Sequence, residues 1–253
     1  MAQKRDNCII LLMDAPEPEK ISQELKTAFG PERAVHVNSD LLSNIYKTAK
    51  SFPEAILILS YEKTARHPDL TWLDAEDPGF LEVKHRCSGE ERIQEALQLA
   101  FFTGAKKAVL LSHLSPEIKK DWLYQAFDSI NDKTVVVGPN QDASFYLLGL
   151  TQQNLKVLEG PGFSHGKSAE TVTERAKKNK LAVVNTPETF SVTGEEALRK
   201  WMENREALPP LFHAPETSPP AQPQAQEHRK HHKRHVRNGT EPGLPPTPEK
   251  PPL

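Results

Sequence analysis

Apolar residues fall along this chain in two rhythms. Residues 8–13 (CIILLM), 55–59 (AILIL), 108–111 (AVLL) and 134–137 (TVVV) are short runs with no polar face, the pattern of buried strands. Residues 144–150 (SFYLLGL) follow the last of these across a Gly-Pro turn and predict another strand, as do 80–83 and 181–184. Between the runs lie amphipathic stretches. Ile21, Leu25 and Phe29 recur at i, i+4 and i+8, and Ile93, Leu97, Ala100 and Phe101 share one face, so 21–29 and 91–102 are expected to be helices. Further helices are expected at 41–49, from 115 to about 127, at 169–179 and at 195–202, while 34–37 suits either a strand or the start of the second helix.

The punctuation supports this reading. Gly30-Pro31 should end the first helix, Ser39 or Asp40 should cap the second, and Ser88 the third. Ser115-Pro116-Glu117 has the order of a helix start: a capping hydroxyl, a proline whose missing N–H costs nothing, and an acid near the positive end. Strands alternating with helices of this length predict βαβ units and a mostly parallel sheet. Ligands of such sheets sit beyond the carboxyl ends of the strands. That directs attention to residues 14–22, 112–117 and 139–144, each of which follows a predicted strand.

Composition sets the limits of the domain. Of the 22 prolines, 12 fall in residues 209–253, where large apolar side chains almost vanish. The folded domain is therefore expected at 1–208, and 209–253 as a disordered tail with too little apolar surface to offset its ordering entropy. The formal net charge of −2 gives no overall field toward nucleic acid or membrane. Two cysteines, Cys8 and Cys87, make neither a disulfide framework nor a metal-ligand pattern. CIILLM is shorter than a signal-peptide core and is followed by Asp14, and no segment approaches a membrane span, so a cytoplasmic location is expected.

Five stretches, in order, resemble one family: the small bacterial GT-A-fold glycosyltransferase-like proteins, relatives of nucleotide-diphospho-sugar transferases. The family pattern opens with K-a-P-x-P-G-x-x-K-T-R-L, where this chain has DAPEPEKISQEL at 14–25. It continues with L-G-E-R-M against GEERI at 89–93, and G-S-D-x-P-x-L against SHLSPEI at 112–118. The strongest match is G-P-x-x-D-G-G-Y-Y-L-L-G-L against GPNQDASFYLLGL at 138–150, and a late D-x-D-x-x-x-D-L meets SVTGEEAL at 191–198. The resemblance implies a three-layer α/β GT-A-like domain, a nucleotide or nucleotide-sugar ligand, and a divalent cation, Mg or Mn, facing the diphosphate.

The departures fall on the chemistry. Asp14 replaces the first-loop lysine, and Ser22, Gln23 and Glu24 replace K-T-R. Leu114 stands for the aspartate of G-S-D, Ala143 and Ser144 for the paired glycines, and Ser191 and Thr193 for both aspartates of D-x-D. Asp142 survives almost alone and is the candidate catalytic residue, with an Asx-type turn cap as its structural alternative. Lys20, His113, Glu117, Asp142 and Tyr146 are the candidate ligand residues. The expected function is a glycosyltransferase-like protein with a degenerate site and a binding or assembly role. The alternative is an active transferase with a rearranged or metal-independent site built on His113, Glu117 and Asp142.

Two further motifs remain. HGKS at 165–168 ends like a phosphate-binding loop but lacks the earlier glycine and a preceding strand. In the tail, HRKHHKRHVR (228–237) suits a polyanion contact, weak transition-metal capture by His228, His231, His232 and His235, or a plain solubilising extension. If the tail is the functional part, removing residues 209–253 is expected to abolish any nickel or polyphosphate affinity while leaving the melting temperature unchanged. Titration calorimetry on both forms checks this, and equal affinity of the two rejects it.

Overall fold

The computed structural model describes residues 6–62, 73, 79–83, 89–160 and 168–206, all within one compact unit spanning Met1–Leu211. The predictions for the tail, for Ser88 and Cys87, and for residues 165–167 of the HGKS motif lie outside the described residues. Seven strands form one sheet: β1 (Asn7–Leu12), β2 (Ile56–Glu62), β3 (Gly79–Val83), β4 (Lys107–Ser112), β5 (Thr134–Pro139), β6 (Phe145–Leu150) and β7 (Ala182–Asn185), in the order β3-β2-β1-β4-β6-β5-β7. Among the described strands β6 alone is reversed, pairing antiparallel with β4 and β5. The rest of the sheet is parallel, as the alternation of runs predicts.

Among the described residues six α-helices accompany the sheet: α1 (Gln23–Phe29), α2 (Pro31–Lys50), α3 (Gly89–Phe102), α4 (Lys120–Ser129), α5 (Ser168–Lys178) and α6 (Glu195–Glu206). The two-residue period of β1 divides the layers. Cys8 and Ile10 pack with Leu97, Ala100 and Val172 of α3 and α5 on one face; Ile9 and Leu11 pack with Leu42, Ile45, Leu123 and Phe127 of α2 and α4 on the other. A third cluster ties α1, α2 and α6 together through Leu25, Leu41, Phe190 and Trp201. Burial pushes the Cys8 thiol up to about 12, so it behaves as a core side chain and not a nucleophile.

Two boundaries differ from expectation. The second helix begins at Pro31, not near Leu41: Gly30, at φ 77°, ends α1 and at once precedes α2, whose Pro31 occupies the first turn where no N–H is needed. Ser39 and Asp40 are therefore interior residues, and 34–37 is helix. The fourth helix starts at Lys120 and not at Ser115. Ser115 is fully buried and gives its hydroxyl to Asn140, while the Pro116 carbonyl accepts from Asn44 of α2. Tertiary bonds have outcompeted the local cap.

Gly138 shapes the end of β5. A Cβ there would lie 2.5 Å from Tyr146 Cζ and 2.8 Å from both Leu147 Cβ and Thr186 Oγ1, so the strand can pass Tyr146 only without a side chain. The register slips at Gly138/Pro139, which turns the chain toward the 140–144 loop. Gly138→Ala is expected to cost about 1–3 kcal/mol by overpacking. Gly194→Ala, with nothing within 4 Å of its would-be Cβ, should stay within about 0.5 kcal/mol. Denaturant melts of the two variants check this, and equal losses would refute it.

Candidate functional site

The loops after β1, β4 and β5 meet at the carboxyl ends of the strands. In the first, Met13 is fully buried and Asp14 is about one-fifth exposed. Asp14 Oδ2 accepts the Ser22 N–H at 3.1 Å, and Oδ1 lies 3.7 Å from Arg92 Nη1 of α3. Arg92 Nη2 donates to the Met13 carbonyl at 2.9 Å. Asn38 of α2 closes the group, donating to the Asp14 carbonyl at 3.3 Å.

His113, at the end of β4, joins this network and is 4% exposed. Its Nδ1 is 2.9 Å from the Leu12 carbonyl and its Nε2 is 2.8 Å from Asn38 Oδ1. With the Asn38 amide committed to Asp14, both ring nitrogens face oxygens, a pattern completed only by the imidazolium. Burial opposes that charge and holds the His113 pKa below its usual 6.5; the Asp14 carboxylate and the Leu12 carbonyl pull upward, and Arg92 pushes down. His113 is thus a buried clamp between β1, β4 and α2, with both ring nitrogens already engaged.

Asp142 lies in the 140–144 loop, exposed, and both its oxygens are engaged. Oδ1 accepts the Ser144 N–H at 3.0 Å and the Ser144 hydroxyl at 2.5 Å; Oδ2 accepts the Ser191 hydroxyl at 2.5 Å. The Asx turn anticipated from sequence is present, and a second segment is added to it. Asn140 extends the network, donating to Ser144 Oγ at 2.9 Å and accepting from Ser115 at 3.1 Å. Partial burial raises the Asp142 pKa, but the Ser144 and Ser191 hydroxyls and backbone N–H groups outweigh it, leaving the carboxyl below its ordinary 3.8. Ala143, where the family pattern has glycine, sits at φ 64°, held there by bonds from its N–H to Asn140 and from Ala169 to its carbonyl.

The other candidates are placed apart from Asp142. Tyr146 is fully buried in the core, its hydroxyl donating to the Pro187 carbonyl at 2.8 Å and sharing a 2.7 Å bond with Thr186. Glu117 accepts from Asn204 of α6. Lys20 is half-buried, and its N–H bonds to the Glu17 carbonyl within the first loop. Leu114 packs beside the α1/α2/α6 cluster, and its carbonyl receives Val192 N–H at 2.8 Å. Sequence reasoning missed Arg92, Asn38, Asn140 and Ser115. Arg92 had a signal, standing as the arginine of GEERI; the others reach across distances a local pattern does not encode.

No group of three or more His, Cys, Asp or Glu able to hold a metal ion occurs among the described residues. A cavity of about 490 Å3 opens elsewhere, between α3 and residues 152–158, lined by Leu99, Phe101, Phe102 and Leu155. It lies near the end of α3, where the chain turns back to the start of β4, away from the loops just described. It carries no cluster of reactive groups.

The lowered His113 pKa has a consequence for stability. Between the unfolded value near 6.5 and the lower folded one, the unfolded chain binds the extra proton, so stability is complete above about pH 6.5 and falls as the pH drops through this window. Melting temperature is expected to decline from pH 7 to pH 5, and His113→Gln should flatten that slope whatever its effect at pH 7. A slope unchanged in the variant would contradict the assignment.

Residues 47–165 match the family described as an uncharacterized protein conserved in bacteria, DUF2064. The match contains the 89–93, 112–118 and 138–150 stretches, while 14–25 and 191–198 lie outside it. No curated protein matches the chain. Among solved structures, a protein described as a nucleotide-diphospho-sugar transferase from Desulfovibrio desulfuricans G20 superposes with a TM-score of 0.64 at 21% identity, over 75% of this chain and 83% of that one. A 4-diphosphocytidyl-2C-methyl-D-erythritol synthase from Anaerococcus prevotii DSM 20548 gives 0.54 at 12% identity, over 79% of this chain and 98% of the other. A nucleotidyl transferase from Methanothermobacter thermautotroptrophicus gives 0.53 at 9% identity with the same coverages. Among the described residues no helix is long and apolar enough to cross a membrane. Residues 47–165 thus carry the DUF2064 pattern, and the chain shares the fold of solved structures described as nucleotide-diphospho-sugar and nucleotidyl transferases.

Proposed function

We propose that this protein is a glycosyltransferase-like domain whose active site has degenerated, kept for binding or assembly in the cytoplasm and not for glycosyl transfer. The observation that carries the reading is the state of Asp142: hydroxyl hydrogens of Ser144 and Ser191 are directed at its two oxygens. A hard divalent cation needs several oxygen lone pairs around it. Among the described residues Asp142 belongs to no group of three or more metal-ligating side chains, Leu114 offers no ligand, and Ser191 supplies a proton donor where the family pattern has an acid. The donor set does not fit Mg or Mn, and no reaction step is assigned to a metal.

The first loop supports the same conclusion. Asp14 places a negative charge where the family pattern has lysine, and like charge against a diphosphate costs of order 1 kcal/mol or more in a partly shielded cleft. The rival reading, a metal-independent transferase on His113, Glu117 and Asp142, gains nothing from the geometry. His113 is buried with both nitrogens engaged, and Glu117 bonds to α6.

Incubation with a panel of sugar nucleotides, with and without Mn2+, is expected to release no nucleoside diphosphate above the uncatalysed rate. Sustained turnover of any donor would overturn the proposal. A second test reverses one substitution. Ser191→Asp sets a carboxylate where the hydroxyl now donates to Asp142 and should destabilise by on the order of 1 kcal/mol, about 2–4 °C. Mn2+ should restore the loss, whereas the parent protein should not respond to Mn2+.

A further inference from the structure

The Asp14 contacts have the form of an occupied anion site. A main-chain N–H, that of Ser22, donates to one carboxylate oxygen at 3.1 Å, and a guanidinium, that of Arg92, stands 3.7 Å from the other. Arg92 is fixed from behind by its bond to the Met13 carbonyl and is 18% exposed; Asp14 is 19% exposed. The pair is therefore shielded but reachable. At 3.7 Å the ion pair is longer than a hydrogen bond, so the guanidinium is balanced electrostatically without the bidentate contact its fork of donors can make. A larger tetrahedral oxyanion is better suited to that gap than the short carboxylate now beside it.

The charges at the end of β1 decide what enters. Arg92 and Asp14 sum to zero, and the nearby His113, bonded to the Leu12 carbonyl and Asn38, is disfavoured from adding a charge by its burial. Remove the Asp14 carboxylate and the same surroundings hold a partly buried, unmatched arginine beside a free main-chain N–H. Such a pair favours phosphate or diphosphate oxygens, through charge-assisted hydrogen bonds.

We infer that Asp14 is a built-in occupant of an anion site at the end of β1, and that its carboxylate keeps phosphoryl groups from Arg92 and the Ser22 N–H in the native protein. The inference rests on the reading of the cleft as degenerate and gives that reading a reversible cause at one residue. The site is not destroyed but filled.

Titration calorimetry with inorganic pyrophosphate on the full chain at low salt tests it. The parent protein should show no saturable heat at millimolar pyrophosphate. Asp14→Ala should bind at least tenfold more tightly than the parent, with affinity falling as salt rises, and the gain should vanish in the Asp14→Ala/Arg92→Gln double variant. Asp14→Asn keeps an acceptor for Ser22 N–H while removing the charge, so it serves if Asp14→Ala does not fold, and it too should gain affinity. Folded Asp14 variants that bind no better than the parent would overturn the inference, as would a gain that survives loss of Arg92. Failure of the parent reading is separate, since it shows as sugar-nucleotide turnover by the unaltered protein and not as pyrophosphate heat in a variant.

Discussion

A carboxylate at the carboxyl end of a parallel sheet must be balanced by something, and here the balance is struck with protons held by serine. Asp142 accepts from Ser144 and Ser191, and that contact joins the β5–β6 loop to the segment before α6. Asn140 and Ser115 carry the same network back to the loop after β4. Three segments that follow different strands are thereby fixed around one charge by hydrogen bonds. A cation-binding cleft needs its oxygens to present lone pairs to a common point, and the hydroxyls here present hydrogens to the carboxylate.

The first loop follows the same logic with an ion pair in place of hydroxyls. Asp14 is matched by Arg92 and by a main-chain N–H, and the Asn38–His113 pair locks the backbone around it. Three of the departures from that pattern are thus accommodated within the chain. Asp14 meets an arginine, Ser191 meets a carboxylate, and Leu114 turns into the cluster of α1, α2 and α6. Random loss would leave unpaired groups at these positions. Their mutual satisfaction supports the proposal above of a cleft kept as structure.

Much of the fold was legible because it depends on local period. The apolar runs at 8–13, 108–111 and 134–137 have no polar face, and each became a strand buried between helices. The two misplaced helix starts have one physical origin. Ser115 looked like a cap because its neighbours suit one, but its hydroxyl is taken by Asn140, 25 residues away in sequence. Gly30-Pro31 looked only like a stop, although a glycine at positive φ can end one helix and a proline can open the next. The site was half legible for the same reason: Asp142 stood out by pattern, whereas Ser191 reaches it across 49 residues and Arg92 meets Met13 across 79. Spacing along the chain carries no record of such pairs.

The central claim concerns what holds the charge of Asp142, and it is tested most directly by following that carboxyl carbon by NMR through an acid titration, with and without Mn2+. The hydroxyl-bound carboxylate should titrate below its ordinary 3.8, with a signal that Mn2+ neither shifts nor broadens. A midpoint at or above that value, or selective broadening by stoichiometric Mn2+, would contradict the account.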